Sequence, residues 1–208
     1  MTRLSPCVKA TLAAIAVACS AAAQRPPSGA RTDADAGRPP YTAADVQFLA
    51  GMIDHHAQAV LIAGWAPSHD ASASVRGLCE RIVVGQRDEI AFMQRWLGER
   101  HETVPPGDPR GHVMPGMPQP MLMPGMLTPG QLAQLDSARG PEFDRLFLTF
   151  MIQHHRGAVT MVGQLLGAQG AAQDGQVFRF ANDVFADQTT EIARMTRMLD
   201  AMFPVGKP

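Results

Sequence analysis

Two pairs of adjacent histidines, His55-His56 and His154-His155, are the residues of this chain best suited to chemistry. Each pair ends a Met-Ile-x-His-His motif that occurs twice in the sequence. Met52 and Met151 precede the histidines by three and four residues, so each thioether shares a helix face with imidazoles. Thioether sulfur and imidazole nitrogen suit Cu(I) or Ag(I) better than Mg²⁺ or Ca²⁺. The motifs therefore predict a transition-metal site, with copper as Cu(I) preferred and silver as the related ion.

Each motif needs ligands from elsewhere in the fold. Neighbouring helical residues point about 100° apart, so the two histidines of one pair rarely bind one ion together. The partners can come from the sister motif, from Met93 and Met195 on the following helical segments, or from a methionine-rich connector. Glu89 and Glu191, at helical spacing from those methionines, can instead accept hydrogen bonds that orient a ligand histidine. Which histidine of each pair binds metal stays open.

The connector, residues 101–128, is rich in proline and glycine and carries five methionines within thirteen residues, with His112 nearby. These methionines are Met114, Met117, Met121, Met123 and Met126. Methionine offers no turn chemistry to a loop, so the cluster predicts capture of a soft monovalent ion; the alternative is that some members cover the end of the fold. Thiolate-rich zinc binding is excluded, because Cys79 is the only cysteine beyond the N-terminal segment.

Two other functions compete with metal binding. A ferritin-like metalloenzyme acting on iron or oxygen would need a glutamate on each of two helices and Glu-x-x-His on the others. The histidine segments contain no Glu-x-x-His, so we predict no catalytic residues and no enzyme. A structural or interaction protein would use the histidines as polar core groups. Burying two adjacent histidines is unfavourable unless they are paired, and their occurrence in both motifs favours the metal.

The motifs lie in an internal repeat. Residues 48–64 and 147–163 are identical at nine of seventeen positions, and residues 86–97 and 188–199 at seven of twelve. The offset rises from 99 to 102 between the two windows, which predicts a loop three residues longer inside the second copy. This self-similarity indicates a duplicated helical hairpin.

Apolar residues recur three and four apart in four segments, and long strand patterns are absent. In the first copy Pro67 should end one helix, and Ser68 or Asp70 should cap the next, which stops near Gly98. In the second, helices run from Gly140-Pro141 to about residue 167 and over roughly 176–202, after a short helix over 129–138. We predict an all-α, ferritin-like four-helix bundle made of two duplicated hairpins.

The N-terminus reads as a targeting segment. Residues 1–23 have a basic start, a short apolar run and an Ala-Ala-Ala cleavage site, which predicts a signal peptide and export to the periplasm or beyond. Lipid attachment at Cys19 is the less favoured alternative. A disordered tether over 24–40 should precede a domain over 41–204: repeat one 41–100, the connector 101–128 and repeat two 129–204. With a mature charge near −3 and no basic stripe, nucleic-acid binding and a membrane span are not expected.

Residues 123–162 closely resemble the family known as domain of unknown function 305, which includes the CopM-like proteins, and the resemblance extends over about 41–203. It implies a ferritin-like bundle, export and, for some members, binding of copper or silver through His and Met. The family motif falls on Met52, His55, His56, Met151, His154 and His155. The first copy has Leu61-Ile62 where the second has Thr160-Met161, so its site should have fewer thioethers. Expected partners are the metal ion and other periplasmic copper-handling proteins.

Overall fold

The computed structural model describes residues 40–111 and 122–204, and every regular element in these ranges is helical. The α-helices are α1 (Ala43–Ala63), α2 (Ala73–Gly98), α3 (Pro129–Ser137), α4 (Gly140–Gly167) and α5 (Gly175–Met202), with a 3-10 turn at Ala66–Ser68. The predicted signal peptide, the tether up to residue 39, His112, Met114, Met117 and Met121 lie outside the described residues.

Local capping sets where the helices of the first hairpin begin. Thr42 and Asp45 form a reciprocal capping box at the start of α1. The cap of α2 is Ser72, whose hydroxyl accepts the Val75 N–H, and the predicted caps Ser68 and Asp70 are wrong. Ser68 ends the 3-10 turn that contains Pro67, and Asp70 has φ 54°, whereas an N-cap needs extended backbone.

Side chains also cap α3 and α5 in the second copy, whereas Arg139 at the N-cap of α4 makes no side-chain cap hydrogen bond. Thr128 caps α3 with Gln131 in a second capping box, and α4 begins at Gly140 with a proline in its first turn. Asp174 accepts the N–H groups of Gln176 and Val177 at the start of α5. The four long helices expected from the periodicity are therefore present.

The extra residues of the second copy lengthen a helix, not a loop, so that expectation is wrong. α1 ends at Ala63, whose counterpart is Val162, but α4 continues to Gly167. The linker from α4 to α5, residues 168–174, is shorter than residues 64–72 of the first hairpin. Pro67 cannot extend a helix, and the second copy has no proline at the corresponding place.

The two hairpins pack into one bundle. α1 packs against α2, α4 packs against α5, and α1 against α4 joins the hairpins. Phe92 of α2 and Phe180 of α5 stack with ring centroids 4.8 Å apart, which brings the outer helices together. The prediction of an all-α bundle of two hairpins is confirmed.

Two buried carboxylates hold the hairpins to each other. Asp45, at the start of α1, accepts the Ala172 N–H of the second linker at 2.7 Å. Asp144, its counterpart 99 residues later in α4, accepts the Ser72 N–H of the first linker with both oxygens at 3.2 Å. Each hairpin therefore binds the linker of the other through the same repeat position.

The connector covers the outer side of α1 and α4. Gln58 of α1 donates to the carbonyls of Pro109 and Leu127, and it accepts the Leu127 N–H at 2.6 Å. Asp54 accepts the Asp108 N–H at 2.8 Å. This cover explains why most of α1 is buried. None of the helices in the described part of the chain is long and apolar enough to span a membrane.

Candidate metal centre

The apolar core is divided into two clusters, and polar side chains separate them along every long helix. One cluster contains Ile62, Ile82, Phe147 and Met195, and the other contains Ile53, Met93, Val162 and Val184. Between these positions lie His55, His56, Gln86, Glu89, His154, His155, Gln188 and Glu191, which we call the polar layer. All four histidines in it are at most 1% exposed. The repeat brings both predicted histidine pairs to the same level of the bundle.

Two histidines of the polar layer are paired with glutamates. His56 Nε2 lies 2.7 Å from Glu89 Oε2, and His155 Nε2 lies 2.6 Å from Glu191 Oε2. The glutamates are partly exposed at 21% and 26% of their side chains, whereas both histidines are fully buried. The carboxylates thus lie where acceptors that orient a ligand histidine were expected.

The glutamates determine which imidazole nitrogen is available to a ligand. A carboxylate accepts hydrogen bonds, so the Nε2 atoms of His56 and His155 carry hydrogen. In the neutral ring the lone pair is then on Nδ1, and neither Nδ1 atom has a hydrogen-bond partner within the protein. One nitrogen bonded to an acceptor and one available is the arrangement usual for metal-binding histidines.

The other two histidines, His55 and His154, meet at the centre of the polar layer. Their ring centroids are 3.9 Å apart. His55 Nε2 lies 3.0 Å from the Pro124 carbonyl, whereas neither ring nitrogen of His154 forms a hydrogen bond of standard geometry. Two uncharged imidazoles are thus in contact, and one of them has no hydrogen bond of standard geometry; a cation could bind the nitrogen lone pairs of both.

Burial keeps these two rings neutral. Desolvation, and then the charge of His56, lower the pKa of His55 to about 3. Desolvation and then His55 lower the pKa of His154 well below its usual range, and the nearby backbone carbonyl of His55 opposes this only weakly. Neutral imidazole is the form that binds metal, so neither ring has to lose a proton at physiological pH.

Two methionine side chains, Met123 and Met161, lie against Gly51 of α1 in space that a larger residue would fill. A Cβ atom on Gly51, one turn before His55, would lie 3.4 Å from Met123 Sδ and 3.6 Å from Met161 Cε. Met123 belongs to the predicted connector cluster, and Met126 of that cluster accepts the Met123 N–H with its sulfur at 3.4 Å. Met161 was not among the predicted ligands; its signal was the replacement of Ile62 by Met161 between the copies.

The remaining predicted methionines lie within the two apolar clusters. Met52 and Met93 share one cluster, Met151 and Met195 share the other, and all four are fully buried. In residues 40–111 and 122–204, no three His, Cys, Asp or Glu side chains are grouped closely enough to hold a metal ion.

The side of the layer at α2 and α5 is acidic. Burial, and then the charges of Glu89 and Glu191, raise the pKa of Asp187. Asp187 lies on α5 one turn before Glu191 and is exposed. The two partly exposed glutamates and Asp187 thus give this side of the bundle a negative potential, which attracts cations.

The chain belongs to the family described as domain of unknown function (DUF305), whose model matches residues 45–199. A DUF305 fragment from Deinococcus radiodurans is 32% identical with a TM-score of 0.64, over 78% of this chain and 99% of that one. A DUF305 protein from Streptomyces coelicolor, described as a candidate secreted protein, is 26% identical with a TM-score of 0.63, over 76% and 93%.

A copper-bound protein shares the fold. CopM in its Cu(II)-bound form is 25% identical with a TM-score of 0.59, and the match covers 76% of this chain and 97% of that one. An uncharacterized protein, L153, of Acanthamoeba polyphaga mimivirus is 34% identical over 56 residues, which span 27% of this chain and 37% of that protein. The family and its similarity to a copper-bound structure are therefore shown.

Proposed function

We propose that this protein is an exported copper-binding protein that sequesters or carries the ion, with Cu(I) preferred and Ag(I) as an alternative cargo. The observation that carries the proposal is the contact of two buried, neutral imidazoles at the centre of the bundle, where His154 has no partner of standard geometry. A buried polar group without a partner is unfavourable, and coordination of a cation would supply that partner.

The ligands that we propose first are His55, His154, Met123 and Met161. Imidazole with thioether suits a soft monovalent ion, and such an ion accepts few ligands. Similarity to CopM, which has been solved with Cu(II), supports copper as the metal.

The other predicted ligands remain part of the proposal. His56 and His155 each have an available Nδ1, and Met126 lies in the same turn as Met123. To bind the metal, the side chains of Met52, Met93, Met151 and Met195 would have to move out of the apolar clusters in which they are packed. Met114, Met117 and Met121, like the signal peptide, are predictions from the sequence alone.

Anaerobic titration of the purified protein with Cu(I), against a competing chelator, tests the histidines. Wild type should bind at least one equivalent tightly, and the His55→Gln/His154→Gln variant should lose it. His101→Gln, an exposed histidine just after α2, is the matched control and should bind as wild type does. Unchanged affinity in the double variant, and in one with all four layer histidines replaced by alanine, would exclude the polar layer as the site.

The thioethers are tested in the same titration. Leucine has nearly the volume of methionine, so Met123→Leu/Met161→Leu should leave the fold intact while it weakens Cu(I) binding. Met93→Leu/Met195→Leu tests the alternative ligands, since both of these side chains lie in the apolar clusters. If this second pair weakens Cu(I) binding and the first pair does not, the ligands are the buried methionines.

A second candidate, a ferritin-like enzyme acting on iron or oxygen, depends on the two His–Glu contacts near Asp187. Oxygen consumption with Fe(II) that is abolished in Glu89→Gln/Glu191→Gln would favour it. Failure to bind either metal would leave a structural or interaction bundle.

A further inference from the structure

We propose that the strap, residues 123–127 of the connector, fixes the tautomer of His55 so that Nδ1 is its only metal-binding nitrogen. The proposal further assigns to Gly157 the role of allowing the strap to reach His55. It rests on the proposed function only in calling that nitrogen a ligand, because the tautomer itself is a property of the metal-free protein.

His55 contacts the backbone of Pro124 in the strap. The Nε2 atom lies 3.0 Å from the carbonyl oxygen, and a carbonyl can only accept a hydrogen bond. His55 must therefore carry its hydrogen on Nε2. In the neutral ring the lone pair is then on Nδ1, which has no hydrogen-bond partner within the protein. The carbonyl of Pro124 serves His55 as Glu89 and Glu191 serve the neighbouring histidines.

The strap packs directly against the backbone of α4 at Gly157. A Cβ atom on Gly157 would overlap the Pro124 carbonyl and lie 2.7 Å from the Gly125 Cα. Gly125 has φ 78°, and a Cβ there would lie 2.6 Å from the Gln153 carbonyl. The Gln153 side chain donates to the Gly125 carbonyl at 3.2 Å. The strap therefore reaches the histidine only because two glycines meet at this point.

The two copies carry different residues at the repeat position that contacts the strap. The position that corresponds to Gly157 in the first copy is Gln58, which holds the other end of the strap through Leu127. At this one repeat position, Gly157 of α4 lets the strap backbone approach closely, whereas Gln58 of α1 forms hydrogen bonds with the strap. As a result His55 is oriented by an acceptor, whereas its counterpart His154 is not. The strap therefore orients His55 but provides no acceptor for His154.

The tautomer can be measured directly in ¹⁵N-histidine-labelled, metal-free protein by long-range ¹H–¹⁵N correlation, with the His55 resonances assigned from His55→Gln. We expect Nε2 to be protonated and Nδ1 to be unprotonated in wild type. Nδ1-protonated His55 in wild type would overturn the proposal without any need for a glycine variant.

The role of the glycine is tested with Gly157→Ala. The added methyl group displaces the Pro124 carbonyl, so we expect His55 to become a mixture of tautomers and the affinity for Cu(I) to fall about tenfold, as for lost acceptors at other metal-binding histidines. Gly163→Ala is the matched control, because it lies on the exposed side of α4 and its Cβ meets nothing within 4 Å. It should change neither quantity.

Circular dichroism shows whether the variant folds; if Gly157→Ala does not, Gly125→Ala displaces the strap from its other side. An unchanged His55 tautomer in whichever folded variant is measured would overturn the role of the strap. The outcomes separate the two proposals. Wild type with the expected tautomer but no Cu(I) binding would refute the proposed function alone, and tight Cu(I) binding with Nδ1-protonated His55 would refute this inference alone.

Discussion

The four histidines of the polar layer have different surroundings. His56 and His155 each face a partly exposed glutamate, His55 faces a backbone carbonyl, and His154 has no standard partner. Because an acceptor on one ring nitrogen decides where the lone pair lies, identical residue types acquire different roles. Three of the four imidazoles are therefore oriented by an acceptor, and the fourth, His154, is not.

At the same scale, Cys79 provides a prediction about reactivity. Burial, and then the charge of Asp144, raise the pKa of the thiol from 9.0 to about 12. Since thiolate is the reactive form, iodoacetamide should modify native protein far more slowly than unfolded protein. Mass spectrometry of timed samples, with urea-unfolded protein as the reference, measures the two rates. Equal rates would contradict the buried, protonated thiol.

The same raised pKa has a consequence for stability. The folded state retains the Cys79 proton to higher pH than the unfolded state, so stability should fall as pH rises above 9.0 toward about 12. Cys79→Ala lacks this loss. Urea unfolding at roughly pH 8 and pH 10 should therefore show wild type losing more stability than the variant. If the difference in unfolding free energy between wild type and Cys79→Ala were the same at both pH values, the raised thiol pKa would be contradicted.

At the scale of elements, the reciprocal contacts of Asp45 and Asp144 show how the hairpins are fastened. Each carboxylate lies in the first two turns of a long helix of one copy and accepts an N–H from the linker of the other. The sequence indicates that these two aspartates are equivalent, because they are 99 residues apart and each lies three residues before the matched window of its copy. Helical periodicity alone gives no reason to pair a helix start with a distant linker.

Removal of one of these contacts should destabilise the bundle. Asp144→Ala leaves the Ser72 N–H without its acceptor, which costs about 1–3 kcal/mol for a buried group. Asp200→Ala, on an exposed position of α5, is the control and should change stability by less than about 0.5 kcal/mol. Urea unfolding followed by circular dichroism measures both. A loss in Asp144→Ala no larger than that in the control would show that the contact is not significant.

The helix boundaries show which local signals were sufficient. α4 begins at Gly140 and α5 ends at Met202, close to where glycine, proline and periodicity indicated. The prediction of Asp70 as the cap of α2 failed because its backbone is left-handed, with φ 54°, whereas an N-cap needs extended backbone. The extended α4 shows that an offset between repeats counts residues but does not reveal their conformation.

At the scale of the whole molecule, the polar layer divides the apolar core into two clusters. The layer reaches solvent at the acidic side of α2 and α5, where Glu89 and Glu191 are partly exposed. Eight of the ten buried side-chain atoms without a protein partner in the described residues belong to this layer. Such a concentration reduces stability where it occurs, since each group needs a partner from water or an ion. The metal ion of the proposed function would supply such a partner.

The acidic side gives a prediction with a defined pH dependence. The pKa of Asp187 is raised above 3.8, so its folded state binds protons more tightly than the unfolded state, and stability falls as pH rises through that value. Asp187→Asn should therefore be more stable than wild type at about pH 7, by no more than about 0.5 kcal/mol for an exposed group, and equal to it near pH 3. Thermal unfolding at both pH values measures this difference. The sign would be wrong if the variant were less stable at neutral pH.

The sequence by itself determined the duplication, the four amphipathic helices and the residue types that meet in the layer, because helical period and capping are local properties. The pairing of His56 with Glu89 was also within reach, since both positions recur in the repeat. Tertiary structure alone decided that His55 meets His154, that Met161 joins Met123 over Gly51, and that the strap reaches Pro124 to His55. These contacts depend on how α1 crosses α4 and on the absence of a Cβ at Gly51 and Gly157, which no period in the sequence encodes.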